Sequence, residues 1–253
     1  MRAYLLMLFV LVALHTRPAM AAEPAWGDLV GRFVFEGDPP VPAPIANVGD
    51  ARPKEPLFDD TLRVDPKTKG IANVVIYVKT PKVAIHPDYE AEAKKEVFCD
   101  NRDFRFVPRV LTVRLKQPMI FSNGDVVSHN ANFQPIGDIN FNSLIPAGGR
   151  TDTYLPAREQ SIPQPVGCNV HPWMRGYILA RSNPYVAVTG ADGSFKLARL
   201  PAGELTFKVW HERRGWLEAK KEWTKGEFTQ KIQPGEQPTD IGTIRVTLGM
   251  LTP

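Results

Sequence analysis

Residues 167–177 read GCNVHPWMRGY, which places Cys168, His171 and Met174 three residues apart on one short loop. A thiolate, an imidazole and a thioether are ligands that copper accepts in both oxidation states. A second imidazole must then come from elsewhere in the chain. Of the five histidines, His15 falls in the N-terminal leader described below. His86 and His211 lie in segments read as a connector and as part of another β unit, which leaves His129.

Upstream, residues 111–133 (LTVRLKQPMIFSNGDVVSHNANF) read as strand, turn, a strand ending at Asn123, a loop, and then His129-Asn130. With both stretches in place, residues from roughly 105 to 181 resemble the type I copper (blue copper) cupredoxins, amicyanin and plastocyanin above all. The resemblance implies a Greek-key β-sandwich holding one copper. His129, Cys168 and His171 would form its trigonal plane, with Met174 as the long axial ligand. It also implies that Asn130 ties the two ligand loops together through its side-chain amide, and that His171 lies at the solvent edge with His129 deeper. A closed four-ligand site leaves no position for a substrate, so the expectation is a carrier of single electrons and not an enzyme. Its partner would be a redox protein such as a dehydrogenase or a cytochrome. Two places depart from the family pattern. The strand before the copper cysteine carries Pro163 and Pro165, and the turn before the strand leading to His129 is Lys116-Gln117-Pro118 where a glycine is common.

The composition agrees with an all-β chain. There are 24 prolines in 253 residues, about twice the usual share of roughly 5%, which disfavours long helices. Strand-like runs at 29–35, 74–79, 110–115, 119–122, 177–181, 185–189, 194–197, 205–210 and 241–248 are short, rich in Val, Ile, Phe and Thr, and bounded by Gly, Pro, Asn or Asp. Only residues 88–97 (DYEAEAKKEV) read as a helix, and residues 39–70 read as a long Pro-rich loop.

A second β unit follows. Residues 186–210 (VAVTGADGSFKLARLPAGELTFKVW) set an Asp192-Gly193 turn and a Pro201 to Gly203 turn between alternating strands. This resembles the smaller prealbumin-like β-sandwich of carboxypeptidase regulatory domains. The strands that normally open that unit match residues 31–37 (GRFVFEG) and 73–78 (NVVIYV), about a hundred residues upstream. The expected organisation is a first part at 27–82, a cupredoxin domain at 98–182 inserted into it, and the remainder at 183–253. Two sandwiches in tandem are the alternative.

The N-terminus carries Arg2, an apolar stretch from residue 4 to 14, and Ala19-Met20-Ala21. That is the layout of a cleaved secretory signal over residues 1–21, and it predicts a periplasmic or secreted protein. The apolar stretch is shorter than the ~20 residues that span a bilayer, and no later segment qualifies, so no membrane span is expected. Taking Arg2 and Arg17 from the 31 basic residues leaves 29 against 27 acidic ones. With no Lys/Arg run interleaved with aromatics, nucleic-acid binding has no support.

Other readings compete. Two cysteines in an exported chain invite a Cys99–Cys168 disulfide, although that pairing leaves His171, Met174 and His129-Asn130 unexplained. The chain could instead be a cell-surface or polysaccharide-binding module with a structural or vestigial copper site. A multicopper enzyme needs His-x-His and His-Cys-His segments, and neither occurs. His211 reads as a packing histidine, Asp59-Asp60 as a solvated loop, and Pro172-Trp173 either as a docking patch or as a contact between domains.

Overall fold

β-branched and aromatic residues punctuated by proline fold here into short strands. The computed structural model describes residues 25–46, 48 and 53–252; the expected signal at 1–21 lies outside them. In chain order the elements are β1 (Trp26–Phe35), β2 (Val75–Val78), α1 (Tyr89–Glu92), β3 (Val97–Arg102), β4 (Arg105–Val107), β5 (Val110–Arg114), β6 (Met119–Asn123), β7 (His129–Phe133) and β8 (Phe141–Ile145). There follow β9 (Gln164–Gly167), β10 (Arg175–Arg181), β11 (Val186–Val188), β12 (Ser194–Pro201), β13 (Gly203–His211), β14 (Gly215–Trp216), β15 (Glu227–Ile232) and β16 (Thr239–Val246). Among the described residues the fold is all-β apart from single turns of helix.

The strands make four sheets among the described residues. Their orders are β12-β1-β16, β11-β2-β13-β14 with β15 also on β13, β5-β10-β9-β7-β8, and β4-β3-β6. β1 runs antiparallel to β12 and parallel to β16, and β2 lies antiparallel between β11 and β13. Strands from the two ends of the chain therefore share one core, built on Leu29, Phe33, Ile76, Phe207, Val209 and Ile244. The Asp192-Gly193 turn locks this core. Gly193 has φ +81, and a Cβ there would sit 2.0 Å from the Phe33 carbonyl oxygen, so only glycine fits.

A second core lies between β5-β10-β9-β7-β8 and β4-β3-β6, and includes Phe106, Met119, Phe121, Phe133, Val166 and Ile178. The four residues of β2 show how the two cores join. Ile76 and Val78 face the first core, whereas Val75 and Tyr77 face a third cluster with Val110, Leu179 and Trp210. A strand covered on both faces has no reason to alternate in polarity, which explains the unbroken apolar run VIYV. Across this seam Tyr177 meets Trp210 edge-on at 4.9 Å. The buried Arg109 guanidinium donates twice to Glu212, at 3.0 and 2.6 Å, and once to Asp60 at 2.6 Å. Asp60 is thus an ion-pair partner and not a solvated loop residue. Burial nonetheless raises the Glu212 carboxyl, even against the pull of Arg109, as expected where desolvation of a buried pair nearly offsets its attraction.

The structure also departs from the expected elements. The helix read at 88–97 is confined to Tyr89–Glu92, because Val97 is drawn into parallel pairing with Met119. Strands β3, β4, β7, β8, β14 and β15 stand where none is expected. No helix among the described residues is long and apolar enough to cross a membrane.

Candidate metal centre

His129 is the first residue of β7, which is flanked by β8 and β9. Cys168 directly follows β9, and the loop from there to β10 carries His171 and Met174. That loop is closed by backbone bonds: Met174 N–H donates to the His171 carbonyl at 2.9 Å, and Cys168 N–H to the Met174 carbonyl at 3.3 Å. Residues far apart in sequence are so brought to one end of the sandwich.

There the donor atoms of His129, Cys168 and His171 converge, all three residues being buried. Cys168 Sγ lies 4.0 Å from His129 Nδ1 and 3.8 Å from His171 Nδ1, and the two Nδ1 atoms are 3.0 Å apart. Donors that each bond a common first-row ion at about 2.0–2.3 Å stand roughly 3–4 Å from one another, so the spacing fits one ion. Met174, on the same loop, is buried and adds a thioether. This is the donor set of a type I copper site.

The surroundings brace the donors. Asn130 N–H donates to Cys168 Sγ at 3.3 Å, and Asn130 Oδ1 accepts from Asn169 N–H at 2.9 Å. The Asn130 amide also donates to Asn142 Oδ1 at 2.5 Å and to the Ser143 carbonyl at 3.3 Å. It thereby links β7, β8 and the Cys168 loop. Burial by itself would raise the Cys168 thiol, but hydrogen bonds from His129 and from backbone N–H groups of Asn130, His171 and Val170 outweigh it and lower the pKa, favouring the thiolate. Burial alone would also lower His129, and here Cys168 and Asp125 reverse the direction. His171 stays lowered, by burial and by the neighbouring His129.

Asp125 is a site residue that the sequence reading missed. Its Oδ2 lies 2.8 Å from His129 Nε2. A carboxylate there fixes the tautomer, keeping the proton on Nε2 and leaving the Nδ1 lone pair for a metal. The available signal was an acidic residue four positions before a candidate ligand histidine, on the loop that delivers it. Phe104 was missed as well. Its ring meets those of His129 and His171 edge-on, at 5.4 and 5.1 Å.

His171 does not stand at an open solvent edge. It is 9% exposed against 0% for His129, because Phe104 and Trp173 pack on its ring. Trp173 belongs to the core of this sandwich and not to the seam between the two, and Pro172 is exposed. Both cysteines are free, which removes the disulfide alternative. Burial pushes the Cys99 thiol up to about 12, consistent with a small apolar core residue. His86 packs against Trp26, and His211 is buried at the end of β13.

No protein-family profile matches this chain, and no curated protein matches it. Among solved structures, the chain is similar to a copper-containing nitrite reductase from Thermus scotoductus SA-01, at 21% identity and a TM-score of 0.31, over 42% of this chain and 25% of that one. It thus spans only a quarter of that enzyme's length. It is also similar to amicyanin from Paracoccus versutus, at 18% identity and a TM-score of 0.30, over 42% of this chain and 97% of that one. A third is a purple cupredoxin from Nitrosopumilus maritimus, at 19% identity and a TM-score of 0.29, over 35% and 100% of the two chains. The assignment of the site rests on its own donors and not on these likenesses.

Proposed function

We propose that this chain is an exported electron carrier of the cupredoxin type, with His129, Cys168, His171 and Met174 as the ligands of one copper. The convergence of two imidazole Nδ1 atoms on the Cys168 sulfur, in a buried pocket, carries the reading. When bound, copper would supply a one-electron couple. The protein's own part is to hold the donors still. The Asn130 N–H and the backbone around residues 170 and 171 stabilise a thiolate, Asp125 keeps His129 in one tautomer, and the core of Phe121, Phe133 and Met119 excludes water. Copper(II) and copper(I) prefer different surroundings, so a stiff site between the two rearranges little on electron transfer.

The domain organisation belongs to the same proposal. Residues 98–182 would form the cupredoxin unit, inserted into a prealbumin-like sandwich made of 27–82 and 183–253. The pairing of β1 with β12 and β16, and of β2 with β11 and β13, supports it. A redox protein as partner and export to the periplasm or beyond complete the reading.

Voltammetry of the copper-loaded protein tests it. A reversible one-electron couple that vanishes in Cys168→Ser is the expected result. Absence of any reversible couple in the parent overturns the proposal.

A further inference from the structure

We propose that the turn between β3 and β4 is a cover over the ligand histidines, and that Phe104 determines which small donors reach the metal. The inference rests on the copper reading for its consequence but on independent geometry for its substance. Arg102 pairs with Arg105 across the β3–β4 hairpin, so Asp103 and Phe104 form a two-residue turn. Both have positive φ, +48 and +57, which is the mirror-image turn that suits hairpin twist and ordinarily selects Gly or Asn. A bulky aromatic at φ +57 is strained and persists only where its surroundings hold it.

Asp125 holds it. Asp125 Oδ1 accepts the Asp103 N–H at 2.7 Å and Oδ2 accepts the Phe104 N–H at 3.0 Å, while the same Oδ2 meets His129 Nε2. One carboxylate therefore fixes both the turn and a ligand. Asp103 points outward, where it pairs with the exposed Lys54. Phe104 turns inward, 5% exposed, with its ring edge-on to both imidazoles and beside Trp173. The hairpin is anchored in turn through Asp100, which accepts from Ser122 Oγ on β6 at 2.7 Å. The outcome is a His171 that is nearest to solvent yet shielded. Phe104 acts as a specificity-determining residue that keeps free imidazole or azide off the metal, and Asp125 is a positioning residue that couples the cover to His129.

The experiment compares the parent with Phe104→Gly and Phe104→Leu. Glycine accepts φ +57 without strain, so the ring is removed while the turn is kept. Copper-loaded proteins are titrated with imidazole while the thiolate-to-copper band and the copper hyperfine splitting are followed. Metal-free proteins are treated with diethylpyrocarbonate and each modified histidine is mapped by mass. In the parent, imidazole should leave the spectrum unchanged and His171 should react more slowly than the half-buried His86. In Phe104→Gly the band should shift saturably and His171 should react about tenfold faster, with leucine between the two. If the glycine variant does not fold, the leucine variant and the parent's ratio of His171 to His86 still decide. A parent His171 that reacts as fast as His86, or variants as inert as the parent, overturns the cover and leaves the copper reading intact. If no loaded protein shows a thiolate band, the copper reading fails, and the labelling still tests the cover.

Discussion

Asn130 and Asn132 sit two residues apart on β7, and each contacts Asn169 on the Cys168 loop, yet their replacement by alanine should have very different effects. Asn130 is buried and makes three side-chain hydrogen bonds, to Asn169 N–H at 2.9 Å, Asn142 Oδ1 at 2.5 Å and the Ser143 carbonyl at 3.3 Å. Asn132 makes one exposed bond to the Asn169 side chain at 3.1 Å and receives one from Gln134. At roughly 0.5–1.5 kcal/mol net per hydrogen bond, two good bonds and one long one amount to about 2–3 kcal/mol for Asn130→Ala. In a protein of this size each kcal/mol moves Tm by about 2–4 °C, so a fall of roughly 5–10 °C is expected. Asn132→Ala should cost about 0.5 kcal/mol or less, as exposed substitutions do. Urea unfolding of the metal-free proteins measures both, with an unchanged slope showing that the unfolded state is not altered. The Asn130 backbone N–H to Cys168 Sγ survives the substitution, so the loaded variant should keep its colour but release copper to a chelator faster than the parent. If the two alanine variants lie within about 0.5 kcal/mol of each other, Asn130 is not the brace described here.

Three further outcomes are expected. Met174→Leu should keep the visible band and raise the reduction potential, because losing a weak axial thioether mainly destabilises copper(II); voltammetry giving an unchanged or lower potential counts against Met174 as a ligand. Burial, helped by Arg213 and Arg109, pushes His211 from 6.5 down to about 4. The unfolded chain takes up that proton as pH falls through 6.5 and the folded chain only near 4. The stabilisation is therefore complete above pH 6.5 and is lost between 6.5 and 4, by roughly 3 kcal/mol. His211→Gln should flatten that part of the pH profile in urea midpoints, and a profile as steep as the parent's speaks against the assignment. Arg109→Ala leaves Glu212 buried without its partner and should cost about 3–5 kcal/mol. The double variant Arg109→Met with Glu212→Met should recover most of that loss, and equal losses in the single and double variants would contradict the account of the seam.

The ligand loop was legible in sequence because three of its donors fall within seven residues, and contiguous chemistry needs no knowledge of the fold. His129 was legible by elimination and by its neighbour Asn130. Asp125 and Phe104 were not. Asp125 acts through contacts to Asp103, Phe104 and His129, which only the closed hairpin brings together. The β3–β4 turn also hides itself, since Asp103-Phe104 lacks the glycine that normally signals such a turn. Strands β8 and β15 (FNSLI and EFTQKI) escaped notice because a polar residue interrupts each inward apolar row, Ser143 between Phe141 and Ile145 and Gln230 between Phe228 and Ile232. The stretch DYEAEAKKEV has the composition of a helix, but parallel pairing of β3 with β6 takes its last residue and tertiary structure overrides propensity. By contrast the Asp192-Gly193 turn was plain, since its geometry demands the residue that the sequence displays.

Copper(II) titration of the parent beside Cys168→Ser asks whether Cys168 is a copper-bound thiolate held between His129 and His171. One equivalent of copper should give the parent an intense visible band with a narrow copper hyperfine splitting, and the serine variant should stay colourless, because a hydroxyl supplies no sulfur charge transfer. A parent that binds copper without that band, or a serine variant as blue as the parent, would contradict it.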